Sequence, residues 1–139
     1  MILFNSKIGP RGLSNMHPAR FVLDGEAWGS SEHYYQAHKT EDQALAERIR
    51  LCRTSWDAKR IGKTVRLRPG WDKLKVEVMR RALEAKFSQN IGLARVLLAT
   101  GSEELAEYSP WDKYWGTSGV NMMGKLLMEI RATLQAKAA

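Results

Sequence analysis

The stretch Trp28-Gly29-Ser30-Ser31-Glu32-His33-Tyr34-Tyr35-Gln36-Ala37-His38-Lys39 decides how the chain is read. Gly29-Ser30-Ser31 is turn-prone and leads into a run without a helix breaker. A serine oxygen at 30 or 31 accepts from the free amides of a first helical turn, so either can be the N-cap. Glu32 then falls in that first turn, where the positive end of the helix favours a carboxylate. Glu32, Gln36 and Lys39 recur at i, i+4, i+7 and share one helical face, with Tyr35 at its edge. An acid, an amide, a phenol and an amine therefore project together. The spacing alone also suits a solvated, ion-paired face. Three aromatics and two histidines in the same twelve residues argue against that, since a solvated face has little use for them.

The 139 residues predict a single domain spanning 1–139, and 44% apolar content supplies a core. No run of 18 or more apolar residues is present, so no membrane-spanning helix is expected. The N-terminus lacks the basic-then-apolar pattern of a signal peptide. Cys52 is the one cysteine. It excludes an internal disulfide and fits a reducing, cytoplasmic setting. No paired His/Cys spacing suggests a metal site, and no cofactor is expected. The formal charge of +7 favours a nucleotide, nucleic acid or other phosphorylated partner. Between Arg53 and Arg68 six basic residues face one acid, Asp57. That run reads either as a solubilising patch or as an anion-binding face.

Outward from the central stretch, Ile2-Leu3-Phe4 predicts a short strand and Asn5 to Pro18 a loop. Ser14 and Asn15 carry compact polar groups that hold a turn or face a ligand. Arg20 to Leu23 and Glu26 to Trp28 predict a hairpin closed by Asp24-Gly25. Helices are expected from Thr40 or Glu41 to Cys52 and from Thr54 or Ser55 to Arg60, the latter closed by Gly62. Further helices are expected over Asp72–Phe87, Ile91–Ala99 and Asn121–Leu134. Thr64 to Leu67 reads as extended and Leu105 to Tyr108 as a short strand. The predicted class is α+β: one compact, mostly helical domain with a small N-terminal β-hairpin region.

A second cluster runs from Ser109 to Asn121 and holds Trp111, Asp112, Tyr114, Trp115 and Gly116. Large aromatics in a loop either tuck it over a core or form a wall on which a planar ring stacks. Asp112 is the carboxylate of that segment. Asn121 opens a helix whose first amides suit a phosphate.

Several stretches, in order and spanning nearly the whole chain, resemble the NADAR family of YbiA-like N-glycosidases. They are Leu13-Ser14-Asn15-Met16, Glu32-His33-Tyr34-Tyr35-Gln36-Ala37-x-Lys39, Leu67 to Asp72, Ala85-Lys86-Phe87, Leu97 to Gly101, Asp112-x-x-Trp115-Gly116, and Asn121 to Arg131. Met16 stands where many members carry an aromatic, and the segment from Trp115-Gly116 to Asn121 is shorter than their Gly-rich loop. The resemblance implies a helix-rich α+β fold and cleavage of N-glycosidic bonds. The implied substrates are phosphoribosylamino-pyrimidine intermediates of riboflavin synthesis or ADP-ribose on guanine in nucleic acid such as DNA. Its motif residues fall on Glu32, Lys39, Asp112, Trp115 and Asn121.

Breaking a ribosyl C–N bond builds positive charge on the sugar and needs a proton on the leaving nitrogen. Glu32 and Asp112 are the expected carboxylate pair. Lys39 either binds phosphate and tunes a carboxylate, or forms a Schiff base with a ring-opened ribosylamine. Ser14, Asn15, Tyr35, Gln36, Trp115, Gly116 and Asn121 are expected to contact substrate, and Arg60, Lys63 and Arg66 its phosphates. The competing class is a non-catalytic module that binds ADP-ribose or single-stranded nucleic acid by stacking and charge. A third reading is an inactive family member kept for interaction. Oligomeric state is not encoded in any of these features.

Overall fold

A computed structural model describes residues 1–138. The chain is α+β, with six helices and four three-residue strands among the described residues. In order these are β1 (Ile2–Phe4), β2 (Phe21–Leu23), β3 (Glu26–Trp28), α1 (Ser31–Ala37), α2 (Gln43–Arg50), α3 (Ser55–Gly62), α4 (Trp71–Gln89), α5 (Ile91–Ala99), β4 (Leu105–Glu107) and α6 (Met122–Ala138). Among the described residues no helix is long and apolar enough to cross a membrane. The chain divides into two compact units, Asn15–Gln89 and Met1–Ser14 with Asn90–Ala139.

In the Asn15–Gln89 unit, the hairpin forms where expected. Asp24 and Gly25 both take positive φ, 55° and 75°. That pair of left-handed residues is what a two-residue hairpin turn demands. Phe21 pairs with Trp28 and Leu23 with Glu26. Gln89 fastens the other edge of β2: its Nε2 donates to the Val22 carbonyl and its Oε1 accepts from the Val22 amide, both at 2.8 Å. Phe21, Trp28, Tyr34, Ala37, Ile49, Ala58, Ala82 and Ala85 form the core here. Trp28 meets Tyr34 edge-on with ring centroids 5.0 Å apart, a favoured aromatic geometry.

The cap of α1 is Ser30, whose Oγ accepts from the His33 amide. Ser55 Oγ donates to Ser30 Oγ at 2.8 Å. The Cys52 carbonyl only accepts, so His33 Nε2, 2.9 Å away, donates to it. The first turn of α1 is thus tied to the start of α3. All seven residues of α1 are buried, which overturns the solvated-face reading. The predicted span is also too long: α1 ends at Ala37, and Lys39 sits in the turn beyond the His38 cap. Its amide still donates to the Gln36 carbonyl at 3.2 Å, so the chain tightens before leaving the helix. Thr64–Leu67 is not a strand; no partner strand lies beside it in the pairing of this unit. The long helix α4 runs two residues past Phe87 and begins one before Asp72.

In the other unit, β1 and β4 pair in parallel, Ile2 with Leu105 and Phe4 with Glu107. Both strands were expected, but not their pairing. Buried Arg131 on α6 donates to Thr100 Oγ1 at 2.9 Å and to the Glu103 carbonyl at 2.8 Å. It thereby joins α6 to the turn after α5. At Gly124 a Cβ would come within 2.1 Å of the Leu105 carbonyl, so only glycine lets α6 approach β4 this closely. The last helix starts at Met122, not Asn121.

Candidate active site

The buried polar face of α1 is the chemical centre of the Asn15–Gln89 unit. Glu32 and Gln36 are 7% and 3% exposed, far below what such residues ordinarily show. One turn apart, they bond directly: Gln36 Nε2 donates to Glu32 Oε1 at 2.7 Å. Gln36 Oε1 is buried with no hydrogen-bond partner among the described residues. Tyr35, also buried, packs on Trp71 with centroids 5.2 Å apart. Lys39 Nζ lies 5.5 Å from the centroid of the Tyr35 ring, within cation–π range.

The amine of Lys39 is pulled below the ordinary lysine pKa, chiefly by burial. The Glu32 carboxylate opposes this, and the charges of Lys59 and Lys63 reinforce it. Burial disfavours the charged ammonium and like charges add to that. Glu32, Lys59 and Lys63 are therefore each within electrostatic reach of Lys39. Arg68 fixes the turn that carries Lys39. Its amide donates to the Lys39 carbonyl at 2.6 Å. Its guanidinium donates to the carbonyls of His38 and Thr40 at 2.8 and 3.1 Å.

Asn15 belongs to the same unit as a support. It is buried, accepts from Ser31 Oγ at 2.6 Å and donates to Met79 Sδ at 3.3 Å. Ser14 is buried as well. Of the residues expected at phosphates, Arg60 is paired with Asp57 at 2.7 Å. Arg66 is exposed and lines a cleft of about 520 Å³ with Thr40, Asp42 and Arg68. Lys63 has the firmest tie to the site, through its effect on Lys39.

In the other unit, Asp112 organises the aromatic loop. Its Oδ1 accepts from the amides of Tyr114 and Trp115 at 3.0 and 2.8 Å. Tyr114 and Trp115 meet edge-on at 5.2 Å. Trp111 is 80% exposed, so it does not pin the loop. Gly116 is needed for closeness: a Cβ there would meet the Ser109 carbonyl at 2.5 Å. Asn121 takes φ 54°, and its side chain bridges β4. Its Oδ1 accepts from the Glu107 amide at 3.1 Å, and its Nδ2 donates to the Leu105 carbonyl at 2.9 Å. The amides of Met122 and Met123 donate to the carbonyls of Tyr114 and Trp115. The expected phosphate seat on these first amides is therefore taken by the loop itself.

A family model described as the NADAR domain matches residues 3–135. The chain belongs to the NADAR family. A protein named N-glycosidase YbiA from Escherichia coli (strain K12) is 42% identical over 127 residues, 87% of this chain and 79% of that one. A riboflavin biosynthesis protein of Vibrio vulnificus (strain YJ016) is 40% identical over 132 residues. The match takes in 91% of this chain but only 36% of that longer protein. The NMR structure of the E. coli protein YbiA superposes with a TM-score of 0.85 at 36% identity, over 99% of this chain and 87% of that chain.

The structure of this NADAR chain brings Glu32, Tyr35, Gln36 and Lys39 together in one unit, with Asn15 behind them. It groups Asp112, Trp115, Gly116 and Asn121 in the other. Three residues escaped the sequence reading as site components. Lys59 was legible in principle, since it lies one turn before Lys63 on α3. Arg68 was read only as the end of the basic run, not as the residue that holds the Lys39 turn. Gly62 was read only as a helix terminator, yet a Cβ there would fall 1.9 Å from Gln36 Oε1.

Proposed function

We propose that this chain is an N-glycosidase that hydrolyses a ribosyl C–N bond. The observation that carries the proposal is a buried carboxylate, Glu32, within Coulombic reach of a partly desolvated amine, Lys39. A module that only binds anions has no use for the carboxylate. The favoured substrate is a phosphoribosylamino-pyrimidine intermediate of riboflavin synthesis, in keeping with the name of the Vibrio vulnificus relative. A ribosylamine opens to a C1 imine. The free amine of Lys39 adds to C1, and Glu32 carries the protons that this nitrogen sheds to the pyrimidine nitrogen, which leaves as the amine. Water then hydrolyses the Lys39 Schiff base, releasing the sugar aldehyde and restoring the amine. General acid–base help of this kind is worth roughly 10²–10⁴ in rate. Lys59 and Lys63 receive the phosphate, and Tyr35 presents its ring beside the reacting carbon.

A second substrate, ADP-ribose on guanine in nucleic acid, is favoured by one feature of α3. Trp56 is 54% exposed and the Arg60 side chain 74%. Spaced i, i+3, i+4, i+7, Trp56, Lys59, Arg60 and Lys63 share one face, an aromatic and cationic strip suited to a strand.

The test offers the protein the ribosylamino-pyrimidine phosphate and, separately, DNA carrying ADP-ribosyl-guanine, with products read by mass spectrometry. Glu32→Gln and Lys39→Ala run alongside. Cleavage of the small intermediate supports the first substrate; free ADP-ribose supports the second. Borohydride during turnover traps a sugar adduct on Lys39. Near wild-type rates in both folded variants sink the proposal, and two untouched substrates leave a binding module.

A further inference from the structure

Gln36 and Gly62 form a contact that stability does not explain. The Gln36 carbonyl oxygen is buried without a hydrogen-bond partner among the described residues. An orphaned buried acceptor destabilises a fold, and such groups in native folds call for a reason. Its neighbour supplies the geometry. A Cβ at Gly62 would lie 1.9 Å from Gln36 Oε1, 2.7 Å from Cδ and 3.0 Å from Cβ. The flat amide of Gln36 therefore rests on the bare backbone at the end of α3. Resting there, it can turn only one way usefully: Nε2 faces Glu32 Oε1 at 2.7 Å. The opposite orientation sets a carbonyl oxygen against a carboxylate oxygen.

We infer that Gln36 is a positioning residue, held by Gly62, that orients the Glu32 carboxylate. The inference rests on the role of Glu32 proposed above and replaces the expectation that Gln36 contacts substrate. An N–H donor held rigidly costs little to align at each turnover. Gly62 is the mechanical part of the device. The atom it accommodates is the far end of a side chain, so Gly62→Ala displaces the amide without needing to break the helix.

The closing experiment has an arm independent of activity. The Gln36 side-chain NH2 resonances are followed by ¹⁵N NMR through a pH titration, with Glu32→Ala as control. They should move as Glu32 titrates in the wild type and stay flat in Glu32→Ala. In Gly62→Ala, whose fold the same spectra monitor, the movement should be lost. The kinetic arm uses Gln36→Met and Gly62→Ala. Each should lower kcat by about 10- to 100-fold with KM changed less than about threefold. Gly62→Ala combined with Gln36→Ala should be no worse than Gln36→Ala alone, because the two closest clashing atoms, Oε1 and Cδ, are gone. An NH2 pair that ignores Glu32 overturns the inference, as does a loss carried wholly by KM. Coupled resonances with an unchanged kcat keep the contact but overturn its role in orienting an acid–base group.

Discussion

Ser31 Oγ donates a 2.6 Å hydrogen bond to Asn15 Oδ1 inside the Asn15–Gln89 unit, and both residues are buried. Asn15 also donates to Met79 Sδ on α4. The bond sets the start of α1 against α4 one residue before Glu32. Asn15→Ala leaves a buried hydroxyl without its acceptor and should cost about 1–3 kcal/mol. Ser31→Ala should cost a similar amount. The double variant should cost less than the sum, because the second change removes a group the first has already orphaned. Urea denaturation of the four proteins completes the cycle. Additive losses would show that the two residues act independently.

Lys39 owes its lowered pKa first to burial and then, in part, to Lys59 and Lys63. Removing a like charge lets the ammonium form at higher pH. In Lys59→Ala and Lys63→Ala the pH profile of Lys39 acylation, read peptide by peptide in a mass spectrometer, should move to higher pH. Any turnover step that needs the free amine should move with it. At about 1 M salt the screening length falls to roughly 3 Å, so the difference between wild type and variants should shrink. Identical profiles at low salt would remove Lys59 and Lys63 from the site.

Local chemistry made much of this molecule legible. The Ser30 cap, the Asp24-Gly25 turn, the Thr54 cap of α3 and the bounds of α5 follow from residues next to one another. What escaped depends on residues far apart in the chain. Nothing near Lys39 signals that α1 stops at Ala37; the turn is held by Arg68, about thirty residues on. The polar face of α1 looks solvated until the other helices bury it. Asn121 reads as a helix start, but its bonds to Leu105 and Glu107 make it a brace for β4. Gly62 reads as a stop signal because its contact with Gln36 crosses from α3 to α1. The grouping of Glu32, Gln36 and Lys39 was in the spacing, and the contacts that support it were not.

Asp112 has a structural duty that can be separated from its charge. Oδ1 accepts from two loop amides, and an asparagine oxygen at the same place accepts equally. Asp112→Asn should therefore keep the loop, with stability within about 1 kcal/mol of wild type, yet lose the carboxylate. If the charge serves catalysis, the role expected of Asp112 from the sequence, kcat falls by about 10²-fold or more. Asp112→Ala loses both and should also melt earlier. Full activity in a stable Asp112→Asn reduces the residue to a loop brace.

Lys86 gives the fold a pH dependence of its own. It is wholly buried on α4, with Nζ 5.1 Å from the Phe87 ring centroid. Burial pushes its pKa down to about 7 from the usual 10.5. Between those values the unfolded chain holds a proton that the folded chain has released. Raising the pH through that window therefore favours folding, by up to about 1.4 kcal/mol per pH unit. Below it both states are protonated and the folded state bears the full cost of a buried ammonium; above it the cost is gone. Lys86→Met keeps the length of the side chain and removes the charge. The wild type should gain on this variant as pH rises from about 7 toward 10, a range in which other groups cancel in the difference. Denaturation curves at each pH measure it. Stability profiles that run parallel would mean that Lys86 stays charged in the fold, sustained by its surroundings rather than neutralised by them.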